Sequence, residues 1–170
     1  MAATQHAQTI KKDTQECLTI ALLQLLEHHQ LSDLSVSKVC QRAGVSRMAF
    51  YRNFEQLDQI IYAYYQPKIA DEFERLRHTS QNSVKLENQE EFLAVFGEQL
   101  VRAKAQGFEP LISQIFTEEI KKFFINQNKD EEWLTFISAG VYALWSQWLL
   151  SGRKRPLSEI HELIRKMVTA

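Results

Sequence analysis

The chain has 170 residues, of which 45% are hydrophobic and 24% charged, and its formal net charge is −1. These values exclude a disordered chain, and near-neutrality leaves any nucleic-acid binding to a local basic face. The length suits one medium domain or two small ones sharing a core.

With only five Gly and three Pro, and no sustained alternation of polar and apolar residues, the sequence predicts an all-α fold. The N-terminus MAATQHAQTIKKD is polar and has no apolar segment, so no secretory signal is expected and a cytoplasmic location is. A first helix is predicted from about Asp13 to His28, capped by Asp13, with Leu18, Ala21, Leu22, Leu25 and Leu26 inward. Cys17 and Cys40 sit among apolar residues and are expected as buried free thiols rather than a disulfide.

The stretch Leu34–Phe54, LSVSKVCQRAGVSRMAFYRNF, carries no acidic residue. Val36, Val39, Cys40 and Ala43 recur at helical spacing and form the buried side of a second helix. Gly44 stands where a left-handed backbone ends that helix, and Ser46 offers an oxygen to cap the next. Phe50 and Phe54 lie one turn apart and anchor the third helix inward, leaving Arg47, Met48, Tyr51 and Arg52 facing mostly outward. The pattern is a helix-turn-helix whose second helix suits DNA. Residues 1–66 balance six basic against six acidic residues, yet between Asp33 and Glu55 lie Lys38, Arg42, Arg47 and Arg52 with no acid. A local basic face is what meets phosphates, because screening limits attraction to about 8–10 Å at physiological salt.

Ala43-Gly44-Val45-Ser46 followed by Phe50-Tyr51-Arg52-Asn53-Phe54, within a segment from about Asp13 to Tyr65, resembles the DNA-binding domain of TetR-family transcription regulators. The resemblance implies an all-helical homodimer with a helix-turn-helix domain over residues 1–54, and an effector-binding and dimerisation domain over 55–170 beginning with a connector helix. It implies base contacts by Ser37, Arg47, Met48, Ala49 and Tyr51, and phosphate contacts by Ser35, Ser46, Tyr51 and Asn53, with electrostatic help from Lys38 and Arg52. Two positions depart from the family pattern. His28-His29-Gln30-Leu31 lacks the Gly often found in the first turn, and Leu57 stands where a phosphate-binding Lys is common.

A fourth helix is predicted from about Glu55 through Leu57, Ile60, Ile61 and Tyr64, with Pro67 kinking or breaking it before it resumes to about Arg77. Residues 78–90, HTSQNSVKLENQE, read as a loop. Amphipathic helices follow from about Phe92 to Gly107 and from Pro110 to Phe124. Trp133–Gly152 is twenty residues without charge, about the length of a bilayer span. Its scattered Ser, Thr and Gln, and flanks of Asp130–Glu132 and Arg153–Arg155 that complement the helix dipole, favour a helix buried on more than one side, and no membrane partner is expected. A last helix spans about Pro156–Val168. Dimerisation is expected through these two helices, with Trp133, Phe136, Ile137, Gly140, Leu144, Trp145, Trp148, Ile160, Leu163, Ile164 and Met167 at the interface.

The aromatic C-terminal half supplies core, and a pocket for a small apolar effector is assigned to Tyr62, Phe92, Phe96, Phe116, Phe136 and Tyr142. Arg153-Lys154-Arg155 reads as a solvated helix end. No enzyme is expected. His161-Glu162-Leu163-Ile164-Arg165 begins like a zinc-protease motif, but its second ligand position is a guanidinium, which cannot bind a metal at neutral pH. His28 and His29 are adjacent and make a poor chelate; there is no phosphate-binding Gly-rich loop, and no cofactor or metal is expected. The function expected is a dimeric, sequence-specific regulator on a near-palindromic DNA site, most simply a repressor whose operator affinity is changed by an effector bound in the C-terminal domain. A member controlled by a protein partner, and a helical interaction protein without DNA binding, stay open.

Overall fold

A computed structural model describes residues 2–79, 86–125 and 130–169. Among them are eight α-helices: α1 Ala2–Leu26, α2 Val36–Ala43, α3 Arg47–Tyr51, α4 Leu57–Thr79, α5 Leu86–Ala105, α6 Glu109–Phe124, α7 Glu131–Leu150 and α8 Leu157–Thr169. A 3-10 turn, Leu31–Asp33, lies between α1 and α2. No described residue is in a strand, so the fold is all-α with an N-terminal helix-turn-helix.

The chain divides into two compact units. The first comprises residues 1–65 with 104–111, and the second residues 66–103 with 112–170. The first unit therefore reaches past the expected boundary at residue 54. The reason is apolar: Leu57, Ile60, Ile61 and Tyr65 of α4 are buried there. The α5–α6 turn also belongs to this unit, where Phe108 packs on Tyr65 with ring centroids 5.5 Å apart and Leu31 N–H donates to the Gln106 carbonyl at 2.8 Å.

Within the first unit, Leu18, Ala21, Leu22 and Leu26 of α1 meet Val39 and Cys40 of α2 and Phe50 of α3 in one buried core. Several expectations change here. α1 starts at Ala2 rather than Asp13; Thr14 Oγ1 donates to the Ile10 carbonyl, so the helix runs straight through the expected cap. Cys17 is exposed, because the inward stripe is taken by Leu18, Ala21 and Leu22, whereas Cys40 is buried as expected. Pro67 does not break α4, which continues to Thr79. Proline removes the N–H that would serve the Ala63 carbonyl, and Ala63 lies on the exposed side, where water can serve it instead.

The second unit is built on aromatic rings. Phe73 lies fully buried against Phe92, Phe116 and Phe123, with centroids 4.9, 5.5 and 5.6 Å away. Phe96, Tyr142 and Trp145 extend the cluster. Beside it, the Glu119 carboxylate is 1% exposed and receives Lys122 Nζ, with an Arg77 guanidinium nitrogen 3.9 Å away and that guanidinium lying over Phe123. Burying an acid is tolerable only with such cations beside it. α7 is capped by Asp130, whose carboxylate accepts from Trp133 N–H at 2.8 Å, with Glu131 and Glu132 in its first turn. Among the described residues no helix is long and apolar enough to cross a membrane. The loop expected at 78–90 is helical at 78–79 and again from Leu86, and residues 80–85 lie outside the described residues.

Gly44 closes α2 with φ 69°, its own N–H donating to Gln41 and that of Val45 to the Cys40 carbonyl. A Cβ there would meet nothing within 4 Å, so the cost of replacing it is purely conformational. Gly44→Ala should therefore destabilise the chain by about 1–2 kcal/mol in urea unfolding, with Gly44→Asn costing less.

Candidate DNA-binding surface

Each helix of the α2–α3 hairpin is capped at its N-terminus by a hydroxyl. Ser35 Oγ accepts from Lys38 N–H at 3.2 Å and caps α2; Ser46 Oγ accepts from Ala49 N–H at 3.1 Å and caps α3. The hydroxyl protons remain free to donate outward. Phe50 is fully buried and stacks edge-on to Tyr51, with centroids 5.2 Å apart. That burial sets the rotation of α3 about its axis, so Arg47, Met48 and Tyr51 are all exposed, Met48 by 66% and Tyr51 by 53%. The five-residue helix thus presents a large thioether and a phenol to solvent.

The basic residues differ in how they are held. Lys38 Nζ donates to His29 Nε2 at 3.0 Å, and Arg42 Nε donates to Gln24 Oε1 at 3.0 Å, so both lean toward the α1 side. Arg52 leans on Met48 Sδ at 3.5 Å. Arg47, among the described residues, has no hydrogen-bonding or ion-pair partner. Its charge still reaches inward: burial pushes the Cys40 thiol pKa up, and the Arg47 charge pulls it partly back.

Of the residues expected at bases, Ser37, Arg47, Met48 and Tyr51 are exposed and Ala49 is half-buried. Of those expected at phosphates, Ser35, Ser46, Tyr51 and Arg52 are exposed and Lys38 is half-buried. Asn53 is different. It is half-buried and its amide donates to the Ala49 carbonyl at 2.7 Å, serving the open C-terminal end of α3. His29 and Gln24, which orient two of the cations, carry no signal in the sequence, since only the packing of α1 on α2 brings them there.

In the second unit, Phe92, Phe96, Phe116 and Tyr142 of the assigned pocket come together as a ring cluster. Phe136 does not join them: it is 72% exposed, because Ile137, Ser138 and Val141 take the inward side of α7. Tyr62 belongs to the first unit. Among the expected interface residues, Ile137, Trp148 and Ile160 are buried within the chain itself, while Phe136 and Met167 are exposed and Trp133, Gly140, Leu144, Trp145, Leu163 and Ile164 are half-buried. No group of His, Cys, Asp and Glu suited to a metal ion occurs among the described residues.

No protein-family profile and no curated protein matches the sequence. Solved structures do match its fold. The TetR-family repressor AlkX from Dietzia sp. strain DQ12-45-1b is similar at TM-score 0.50 and 20% identity, covering 90% of this chain and 92% of that one. The Thermus thermophilus FadR, a TetR-family transcriptional repressor in complex with lauroyl-CoA, is similar at TM-score 0.51 and 16% identity, covering 91% and 93%. The chain thus has the fold of TetR-type repressors, with the helix-turn-helix at its N-terminal end.

Arg47 is the residue on this surface best suited to fork onto guanine. Arg47→Ala should cost about 1–3 kcal/mol on a selected DNA site and relax its sequence preference; an equal loss on random DNA would reduce Arg47 to a phosphate contact. Lys38→Ala should weaken all sequences alike and lower the salt slope of binding by about one, and an unchanged slope would remove Lys38 from the interface.

Proposed function

We propose that this protein is a DNA-binding transcriptional regulator that acts as a homodimer and represses until an effector binds its C-terminal unit. The observation that carries this is the outer face of α3. Arg47, Met48 and Tyr51 stand exposed on a capped helix, in a stretch free of acidic residues from Leu34 to Phe54, on a fold shared with transcriptional repressors. Two such helices from a dimer would meet successive major grooves about 34–36 Å apart.

The effector reading is supported by the apolar, aromatic make-up of the second unit's core and by the lauroyl-CoA held by the Thermus repressor of similar fold. α4 runs covalently from the first unit into the second, so a ligand that favours one position of α4 would change the affinity for DNA. Selection from a random duplex pool at low salt, followed by titration at rising salt, tests the reading. Recovery of a near-palindromic site supports it, and no enrichment with no affinity even for random duplex sinks it.

Dimerisation is supported by an apolar surface left open on the last two helices. Phe136 is 72% exposed on α7, with Ala139 and Ala143 exposed on the same helix, and Met167 is 49% exposed on α8. Phe136→Glu leaves the chain's own core intact, so it should yield a folded monomer by sedimentation. It should weaken operator binding by at least about a hundredfold through loss of half-site coupling. A wild-type chain that sediments as a monomer at micromolar concentration would overturn the dimer.

A further inference from the structure

The turn between α7 and α8 is more than a solvated helix end. α7 closes on Gly152, φ 78°, whose N–H donates to the Leu149 carbonyl while that of Arg153 donates to Trp148. Arg153 then itself adopts a left-handed backbone, φ 58°, the one non-glycine among the described residues to do so. An arginine is a costly choice for that conformation, and such outliers gather at functional sites. Its guanidinium lies 5.7 Å from the Trp148 ring centroid and passes close over Gly97 of α5, where a Cβ would come within 3.0 Å of it. The Trp148 indole N–H donates to the Arg155 carbonyl at 2.7 Å, which pins the far side of the turn.

The result is an open hollow of about 410 Å³ lined by Trp148, Arg153, Lys154, Arg155, Pro156 and Leu157. Three cations line it and no acid does. Elsewhere in the second unit, Arg75, Arg77, Lys121, Lys122, Arg165 and Lys166 each pair with a carboxylate; among the described residues Arg153, Lys154 and Arg155 do not, nor does the isolated Arg102, but these three alone stand together around a hollow. The hollow also opens at the start of α8, where Glu159 in the first turn offsets the helix dipole, so the anion-attracting charge is that of the three cations. The backbone donors of Ser151, Gly152 and Arg153 are consumed by α7 carbonyls, so recognition falls to the side chains. Two guanidinium forks and one ammonium suit a multiply charged oxyanion better than a lone carboxylate.

We infer that the α7–α8 turn is a binding site for a small molecule bearing phosphate or pyrophosphate, held by Arg153, Lys154 and Arg155. The site is independent of the DNA reading and of the ring cluster. Calorimetric titration of the full chain with pyrophosphate, at ionic strength held constant with KCl, should show saturable binding at one site per chain. Arg155→Gln and Lys154→Gln, both at exposed positions that the fold does not need, should each weaken it by about tenfold or more. Arg153→Gly, which relieves the backbone, should weaken it while leaving thermal stability unchanged or higher. Arg47→Ala and Lys121→Gln should leave it unchanged. Absence of saturable binding overturns the site, as does equal weakening by Lys121→Gln, which would mean diffuse charge. So does an Arg155→Gln effect seen on duplex DNA but not on pyrophosphate, which would make the turn a nucleic-acid contact.

Discussion

A helix of five residues cannot hold itself together in water. Isolated helices shorter than about 12–15 residues are marginal even in favourable sequences, because the first turn fixes three residues for one hydrogen bond. α3 therefore exists because Phe50 is fully buried against α1 and α2, a burial that contributes about 1.5–3 kcal/mol. Everything proposed for DNA depends on that one side chain. With Phe50 inward, the helix period leaves Arg47, Met48 and Tyr51 outward, and Ser46 and Asn53 satisfy the open groups at the two ends. Gly44 completes the constraint by turning the chain so that Phe50 can enter the core.

The hairpin was legible in the sequence because its signals are local. A left-handed glycine, a capping serine three residues before the amide it serves, and apolar positions one turn apart need no knowledge of the rest of the chain. The failures were non-local. Whether Pro67 breaks α4 depends on whether water reaches the Ala63 carbonyl, and whether Cys17 is buried depends on which face of α1 its neighbours claim. Phe136 and Ile137 are both large and apolar on the same helix, and sequence alone does not say which points inward. The structure separates them, with Ile137 in the chain's core and Phe136 outside. The pocket assignment, which joined Phe136 to Phe92 and Phe116, failed on that point.

α7 illustrates why hydrophobic content misleads about environment. After Glu131 and Glu132 it carries no charge through Leu150, yet the side that meets the chain's own core is formed by Leu134, Ile137, Val141, Tyr142, Trp148 and Leu149. Phe136, Ala139 and Ala143 form an apolar strip exposed on another side, between Thr135 and Gln147. Packing of an obligate partner commonly buries more than about 2,000 Å², which a long apolar helix with a second beside it can supply. Glu119 is the counterpart inside. A carboxylate 1% exposed among phenylalanines costs stability unless paired, and Lys122 and Arg77 supply the pairing. The buried carboxylate is charge-paired within the chain, although its Oε2 makes no hydrogen bond, whereas Phe136 on α7 has no cover of its own.

The same contrast between compensated and uncompensated groups runs through the cations. Most cations of the second unit sit within reach of a carboxylate on the same or the next helix, where they add little stability but leave no net local field. Arg47 on α3 and the Arg153–Arg155 turn lack such partners among the described residues, and each is held in place by something other than charge: the rotation imposed by Phe50 in one case, and the Trp148 ring with its indole hydrogen bond in the other. A cation that is positioned but not neutralised keeps its potential for whatever anion arrives. In a chain of net charge −1, it is therefore the placement of unpaired charge, rather than its amount, that decides where the local field is positive.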